Sequence, residues 1–382
     1  MLPAATCGTL PTMAEALKNH FGADVPTTIA AMIAAVHPSF PVKAFVRDAL
    51  KGYDALELMP RGRHLAAALR THLPAHYPEA VRILVQSTQQ PVQRKVAPSM
   101  ASFLFMPHCF FVAQYGLEHF EESMEALHAL TQRFTSEFAI RPFLIRQPEA
   151  TLQRLHQWAQ DPSEHVRRLV SEGTRPRLPW AMRLPAFQAD PAPVLALLEQ
   201  LKDDPALYVR RSVANNLNDI GKDHPQVLID TAKRWLRNAT PEREWIVRHA
   251  LRWAVKQGDA GALKVLGFAQ GAQVKVKGAS IAPQRVKLGS EVTIAFTLES
   301  TAAKPQDLMV DLQVHYAKAN GKTNGKVFKL KALTLPARGR VPMEKTLKLK
   351  DLTTRKHYAG RHAVELLVNG AAHALGTFEL SR

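Results

Sequence analysis

The chain has 382 residues, of which 46% are hydrophobic, and it carries a formal net charge of +17 with a pI of about 10.0. That length predicts two domains with sizeable cores, and the cationic excess points to an anionic partner, nucleic acid before an acidic membrane surface. Two cysteines, Cys7 and Cys109, exclude a disulfide framework and make the reducing cytoplasm the expected compartment; the N-terminus lacks the pattern of a signal peptide, and no stretch reaches the roughly 18 to 20 apolar residues of a membrane span.

Residues 1–12 read as frayed. Helical periodicity starts at Met13 (MAEALKNHFG) and continues through Thr27 to Val36, Pro41 to Leu58, Leu65 to Leu73 and Tyr77 to Gln86. The polar residues 87–98, with two prolines, read as a loop whose Arg94 and Lys95 are solvated or touch an anion. Residues 99–116, rich in Phe103, Phe105, Phe110 and Phe111, predict a buried helix pair, in which His108 and Cys109 are core positions rather than metal ligands. A helix from Leu117 to Phe134 follows, burying Leu117, Phe120, Met124, Leu127 and Thr131 and exposing Glu118, Glu121, Glu122 and Glu125. Arg141 precedes a proline, which predicts extended geometry with the guanidinium leaving a turn.

The stretch from Trp158 to Trp180 is the unit around which the helical part is organised. Asp161 can cap a helix, Pro162 suits its first position, and Glu164 stands three residues after the cap. Val166, Leu169 and Val170 define the apolar face, while Arg168, Glu172 and Arg175 form a polar row at i, i+4 and i+7. Asp161-Pro162 with Val166-Arg167-Arg168 recurs as Asp204-Pro205 with Val209-Arg210-Arg211, a period of about 43 residues, and more loosely as Thr240-Pro241 with Val247-Arg248. Such a period predicts an α-solenoid of HEAT or armadillo type, in which each helix pair needs its neighbours to bury its apolar face. In the second copy Arg211, Asn215, Asn218 and Lys222 lie in one row, suited to phosphate and sugar oxygens or to a plain polar face. Trp245, Arg248, Arg252 and Lys256 extend the basic stripe in the third.

After about residue 270 the period changes to two. Alternating segments within Gln273 to Val368 are separated by Leu288-Gly289-Ser290, Asn320-Gly321, Asn324-Gly325 and Asn369-Gly370. About seven short strands predict an immunoglobulin-like sandwich without the cysteine pair of antibody domains. From residue 271 onward there are 19 Lys+Arg against 8 Asp+Glu, net +11. Lys345, Lys348 and Lys350 suit either edge protection or a sheet facing nucleic acid. The predicted fold class is therefore an all-α HEAT-like α-solenoid over residues 1–270, then an all-β immunoglobulin-like sandwich over residues 271–382.

A stack of helices with a basic stripe binds DNA by electrostatics alone. Glu172 between Arg168 and Arg175 is then either a structural ion pair or a catalytic acid held ionised. The motifs GLEHFEESMEAL, SEFAIRPFL, HVRRLVSEGTRPRLPW and YVRRSVANNLNDIGKDHP resemble the AlkC family of DNA alkylation repair glycosylases, HEAT-like proteins related to the AlkD family, some of which carry an immunoglobulin-like domain. The match runs through residues 13–270. The resemblance implies base excision repair: removal of cationic N3-alkylated bases, chiefly 3-methyladenine and 3-methylcytosine, from double-stranded DNA without flipping the base into a deep pocket, in contrast to the usual strategy. A carboxylate near C1′ stabilises the oxocarbenium-like sugar and orients water. Glu121, in the first of these motifs, is the leading candidate, followed by Glu172 and Asp161. Trp158 and Trp180 are candidates to pack on the lesion or its sugar, against the alternative of core indoles. Arg141, Arg167, Arg168, Arg175, Arg177, Arg210, Arg211, Asn215, Lys222 and Arg248 are candidate DNA contacts. No metal signature or phosphate loop is present, so no cofactor is inferred, and a monomer without membrane attachment is expected. The alternative is a non-catalytic HEAT-repeat scaffold that binds nucleic acid.

Overall fold

The computed structural model describes residues 17–91, 98–268, 270–352 and 355–381. Cys7, the frayed start, the beginning of the first predicted helix and the loop residues Arg94 and Lys95 lie outside the described residues. Helices occupy the chain from Asp24 to Val265 and strands from Val274 to Ser381. By packing, the chain divides into two compact units, Met1–Asp219 and Ile220–Arg382.

In the first unit, helices pack on helices close to them in sequence, as repeats require: Leu58–His72 on Met106–Tyr115, Tyr77–Ser87 on Phe120–Thr131, and Glu164–Gly173 on Ala192–Leu201. The predicted Pro41 to Leu58 helix is two pieces. Val42–Leu50 stops, a short 3-10 turn Tyr53–Ala55 intervenes, and Leu58–His72 begins. Gly52, at φ +71°, makes the break that a side chain would resist. The predicted buried helix pair over 99–116 is a single helix, Met106–Tyr115, preceded by short turns. Seven consecutive residues, Met106 to Val112, are buried there, so this helix is enclosed on all sides rather than amphipathic.

His108 is fully buried in that helix, with Nε2 3.3 Å from the Ser87 hydroxyl. Burial pushes its pKa down to about 4. An unfolded chain binds the proton first, near pH ~6.5, so the stability that neutral His108 contributes is complete above that pH and lost as pH falls to about 4. The expected loss is about 3 kcal/mol. Urea unfolding of the wild type and His108→Gln at pH 7.5 and pH 4.5 checks it: the variant should show a clearly flatter pH dependence of the helical transition.

The repeat predicted from the Asp-Pro and Val-Arg-Arg spacing is an atomic repeat. Asp161 Oδ1 accepts the Ser163 amide at 2.8 Å, and Asp204 Oδ1 accepts the Ala206 amide at 2.8 Å. Arg167 donates to the carbonyls of Asp161 and Pro162, and Arg210 to those of Asp204 and Pro205. The helix starts at Glu164, not at Pro162, because the aspartate closes a side-chain turn one step ahead of it. In the third copy Thr240 caps Pro241–Ala250 by accepting the Arg243 amide. Arg141 departs from expectation. It is the first residue of helix Arg141–Arg146 rather than an extended turn residue, and its side chain is completely buried.

In the second unit the strands are β1 Val274–Ala282, β2 Arg285–Lys287, β3 Glu291–Ser300, β4 Gln306–Ala317, β5 Thr323–Leu335, β6 Arg340–Lys348, β7 Gly360–Val368 and β8 Ala371–Ser381. They form two sheets, β1-β3-β6 and β2-β8-β7-β4-β5. Alternation points Val292, Ile294, Phe296 and Leu298 of β3 into a core shared with Leu312, Val314 and Leu366. Asn369 and Gly370, both at positive φ, make the two-residue hairpin turn between β7 and β8. Strands β2 and β8 were not foreseen; β8 carries three alanines and Gly376 in its first six residues and lacks a strong β-forming pattern there. The last helices belong with this unit because Leu263 and Phe268 pack on Met309 of β4. No helix among the described residues is long and apolar enough to cross a membrane.

Candidate active site

A cleft of about 500 Å³ opens in the first unit. Its lining includes the apolar Phe103, Met106, Phe134 and Phe138, the charged Arg133, Glu137, Arg168, Glu172 and Arg175, and the rings of Tyr208 and Trp180. Turns and helices far apart in sequence supply the polar groups. Thr135 and Glu137 follow helix Phe120–Thr131; Arg168 and Glu172 lie on Glu164–Gly173; Arg175 follows it; and Tyr208, Ser212 and Asp219 lie on Leu207–Asp223.

These groups form an alternating row of charge. Arg168 Nη1 stands 2.5 Å from Glu137 Oε2 and its Nη2 3.5 Å from Glu172 Oε1. Arg175 Nη1 donates to the same Glu172 oxygen at 2.6 Å, and its Nε and Nη2 donate to Asp219 Oδ2 at 2.8 and 2.7 Å. The Ser212 hydroxyl donates to Glu172 Oε2 at 2.6 Å. Burial disfavours the Glu172 carboxylate, which is only 6% exposed, but Arg168, Arg175 and Ser212 outweigh it and hold its pKa below the usual carboxylate range. Burial likewise works against the Arg168 and Arg175 cations, and their carboxylate partners overcome it. Within the row Arg168 stands between Glu137 and Glu172, and Arg175 between Glu172 and Asp219; Arg133 lines the same cleft, and buried Arg141 acts on Glu137 and Asp219, so the carboxylates do not outnumber the cations around them.

The guanidinium of Arg168 also lies over the Tyr208 ring, 5.2 Å from its centroid. Trp180 is 70% exposed and has φ +65°. An exposed indole on left-handed backbone costs stability that a turn elsewhere would avoid, a pattern found at ligand-clamping positions. Among the described residues no group of three or more His, Cys, Asp or Glu side chains is gathered to hold a metal ion.

Of the residues singled out in the sequence, the structure gathers Arg168, Glu172, Arg175 and Trp180 at this cleft. Others are placed elsewhere. Glu121 is a surface residue, its side chain 67% exposed and paired with Arg154, because it starts its helix on the solvent side. Asp161 is taken by His128 at 2.7 Å and by the Ser163 amide. Trp158 is a core indole packed against His128. Arg141 is no phosphate contact: its donors serve the carbonyls of Gly173, Arg175 and Met182, and burial pulls its pKa down to about 10. Arg167 is spent on the Asp204 carboxylate and two carbonyls. Arg210 repeats the carbonyl part of that bracket. Arg177, Asn215 and Lys222 are half-buried, Arg211 and Arg248 are exposed, and Asn218 of the second-copy row is buried. Glu137, Thr135, Ser212 and Asp219 were missed. Glu137 sits in the SEFAIRPFL motif, and Ser212 and Asp219 stand seven residues apart on one helix, a spacing that puts them on one face.

A helical-repeat unit whose cleft is lined by Glu137 and Glu172 among three arginines, in a chain that ends in an immunoglobulin-like sandwich, defines the class of this protein. Residues 275–382 match the family model described as the C-terminal Ig-like domain of uncharacterised protein YhaZ. The chain is 36% identical over 355 residues to uncharacterized protein YhaZ of Bacillus subtilis (strain 168), covering 93% of this chain and 96% of that one. It is also similar to the solved structure of Pseudomonas fluorescens alkylpurine DNA glycosylase AlkC bound to DNA containing an abasic site analog, with a TM-score of 0.89 and 41% identity over 96% of this chain and 100% of that chain. The chain belongs to the AlkC family.

Proposed function

We propose that the protein is a DNA glycosylase of alkylation repair, acting on double-stranded DNA and excising cationic N3-alkylated bases such as 3-methyladenine and 3-methylcytosine. The observation that carries this is the negative charge of the Glu137 carboxylate at the cleft, whose Oε1 has no donor among the described residues, next to Glu172, which its partners hold ionised. A neutral base has nothing to gain from that charge; a cationic base, or the cationic sugar left when it departs, does. The likeness to a glycosylase solved with an abasic-site analogue supports the same reading.

In the proposed reaction the C1′–N bond breaks and its electron pair leaves with the base, which becomes neutral. Water adds to C1′ and its proton passes to a carboxylate. Glu137 suits that task, because both of its donors fall on Oε2 and Oε1 has none among the described residues. Glu172 has a donor on each oxygen, so it supplies charge. Trp180 is at the lining, and in this reading its indole packs on the cationic base or its sugar. Because the leaving group is already activated, the base need not be flipped into an enclosed pocket. Arg211 and Arg248 remain the exposed candidates for phosphate. The test is release of free 3-methyladenine from methylated duplex DNA; no release above the uncatalysed rate leaves only a binding scaffold.

The sandwich, net +11 from residue 271 onward, is proposed to hold DNA as well. Deletion would also unseat the helix residues that pack on Met309, so charge reversal is the cleaner probe. Lys348→Glu with Lys350→Glu, both exposed, is expected to weaken DNA binding by about tenfold at 0.1 M salt and to lower the salt slope. Anisotropy titrations across salt concentrations check it, and unchanged affinity removes the sandwich from the interface.

A further inference from the structure

We propose that Thr135 is a positioning residue whose hydroxyl keeps one oxygen of Glu137 facing the cleft. Its Oγ1 donates to Glu137 Oε2 at 2.7 Å, accepts from Arg168 Nη1 at 2.7 Å, and accepts the Glu137 amide at 3.3 Å. Three bonds therefore fix a single hydroxyl between the acid and its guanidinium. Arg168 and Glu137 are the kind of pair that prefers a two-pronged contact, each carboxylate oxygen facing its own N–H. They do not make one here. Arg168 reaches only Oε2, at 2.5 Å, and its other prong turns toward Glu172.

Thr135 accounts for that geometry. Its hydroxyl adds a second donor to Oε2, so that oxygen satisfies two partners and the carboxylate has no reason to rotate Oε1 onto Arg168. Without the hydroxyl, Glu137 turns flat against the guanidinium and both oxygens are consumed. The Glu137–Glu172 pair then loses its one oxygen without a donor among the described residues, although every charge is still present. Thr135 itself does not touch the reacting atoms. It acts through Glu137, and the inference rests on the excision reading given above.

Two substitutions in the full-length chain separate the hydroxyl from the shape of the side chain. Thr135→Val keeps the volume and removes the donor; Thr135→Ser keeps the donor and removes a methyl group. The expected result is an approximately 10- to 100-fold fall in the single-turnover rate of 3-methyladenine release for Thr135→Val. Its affinity for duplex DNA carrying a neutral abasic analogue should stay within about twofold of wild type, and Thr135→Ser should release base within about threefold of the wild-type rate. A crystal structure of Thr135→Val should show the Glu137 carboxylate turned onto Arg168 through both oxygens. A Thr135→Val enzyme at full rate, a Thr135→Ser enzyme as slow as Thr135→Val, or a Glu137 carboxylate unmoved in the Thr135→Val crystal overturns the proposal. The crystallographic arm needs no turnover, so it decides the role of Thr135 even if the wild-type chain releases no base, the result that would instead overturn the excision reading.

Discussion

Glu137→Gln is expected to lower the single-turnover rate of 3-methyladenine release by about 100-fold or more, with binding to an abasic analogue little changed. The substitution keeps the side chain's shape and removes the charge that would accept the water's proton. Glu172→Gln should be similarly slow for a different reason. It strips the central anion from between Arg168 and Arg175, whose guanidiniums lie 3.5 and 2.6 Å from it, and so leaves Arg168 with Glu137 and Arg175 with Asp219 as their carboxylate partners. That change should also appear as lost stability, since the buried Arg175 and the half-buried Arg168 lose a shared partner. The double variant should be little slower than the worse single one if the two carboxylates act as a unit. Glu121→Gln is the control: an exposed side chain paired with Arg154 should alter the rate by no more than about twofold. Release kinetics on one methylated duplex measures all four. A fast Glu137→Gln with a slow Glu121→Gln would return the assignment to the helix-start glutamate.

Asp204→Ala should destabilise the first unit by about 3 kcal/mol or more, one of the largest effects available from a single substitution between two helices. Asp204 accepts both Arg167 prongs, Nε at 2.6 Å and Nη2 at 3.1 Å, and the Ala206 amide at 2.8 Å. Its side chain is almost completely buried, so truncation leaves a guanidinium facing a cavity. Arg167 in turn is bonded to the Asp161 and Pro162 carbonyls, so one carboxylate ties the first repeat to the second. The equivalent Asp161 has no such bridge to an arginine among the described residues and pairs with His128 instead, and Asp161→Ala should cost less, about 1 kcal/mol, the worth of a cap. Urea unfolding followed by far-UV circular dichroism compares the two. Equal losses would mean that the staple between repeats is not what Asp204 provides.

The repeat, the change from helix to sandwich and the charge imbalance were readable because each depends on residues near one another in sequence. Asp-Pro followed by Val-Arg-Arg sets a turn, a helix start and an apolar face within one short segment. The Asn369-Gly370 hairpin is equally local. The row Arg168, Glu172 and Arg175 was legible for the same reason, since helical spacing alone brings them onto one side.

Which acid faces the cleft was not legible. Periodicity says which residues share a face, but not which faces meet, and Glu137 reaches Arg168 only because a turn packs against a later helix. The same limit misplaced Arg141 and Arg167, whose charge suggested a surface while their donors satisfy buried carbonyls and a carboxylate. The sequence by itself determined the architecture and the sign of the field, because backbone hydrogen bonding and side-chain hydrophobicity are local or additive properties. Only the tertiary structure decided the site, because pairing a buried charge depends on a few ångströms between segments that the chain order leaves far apart.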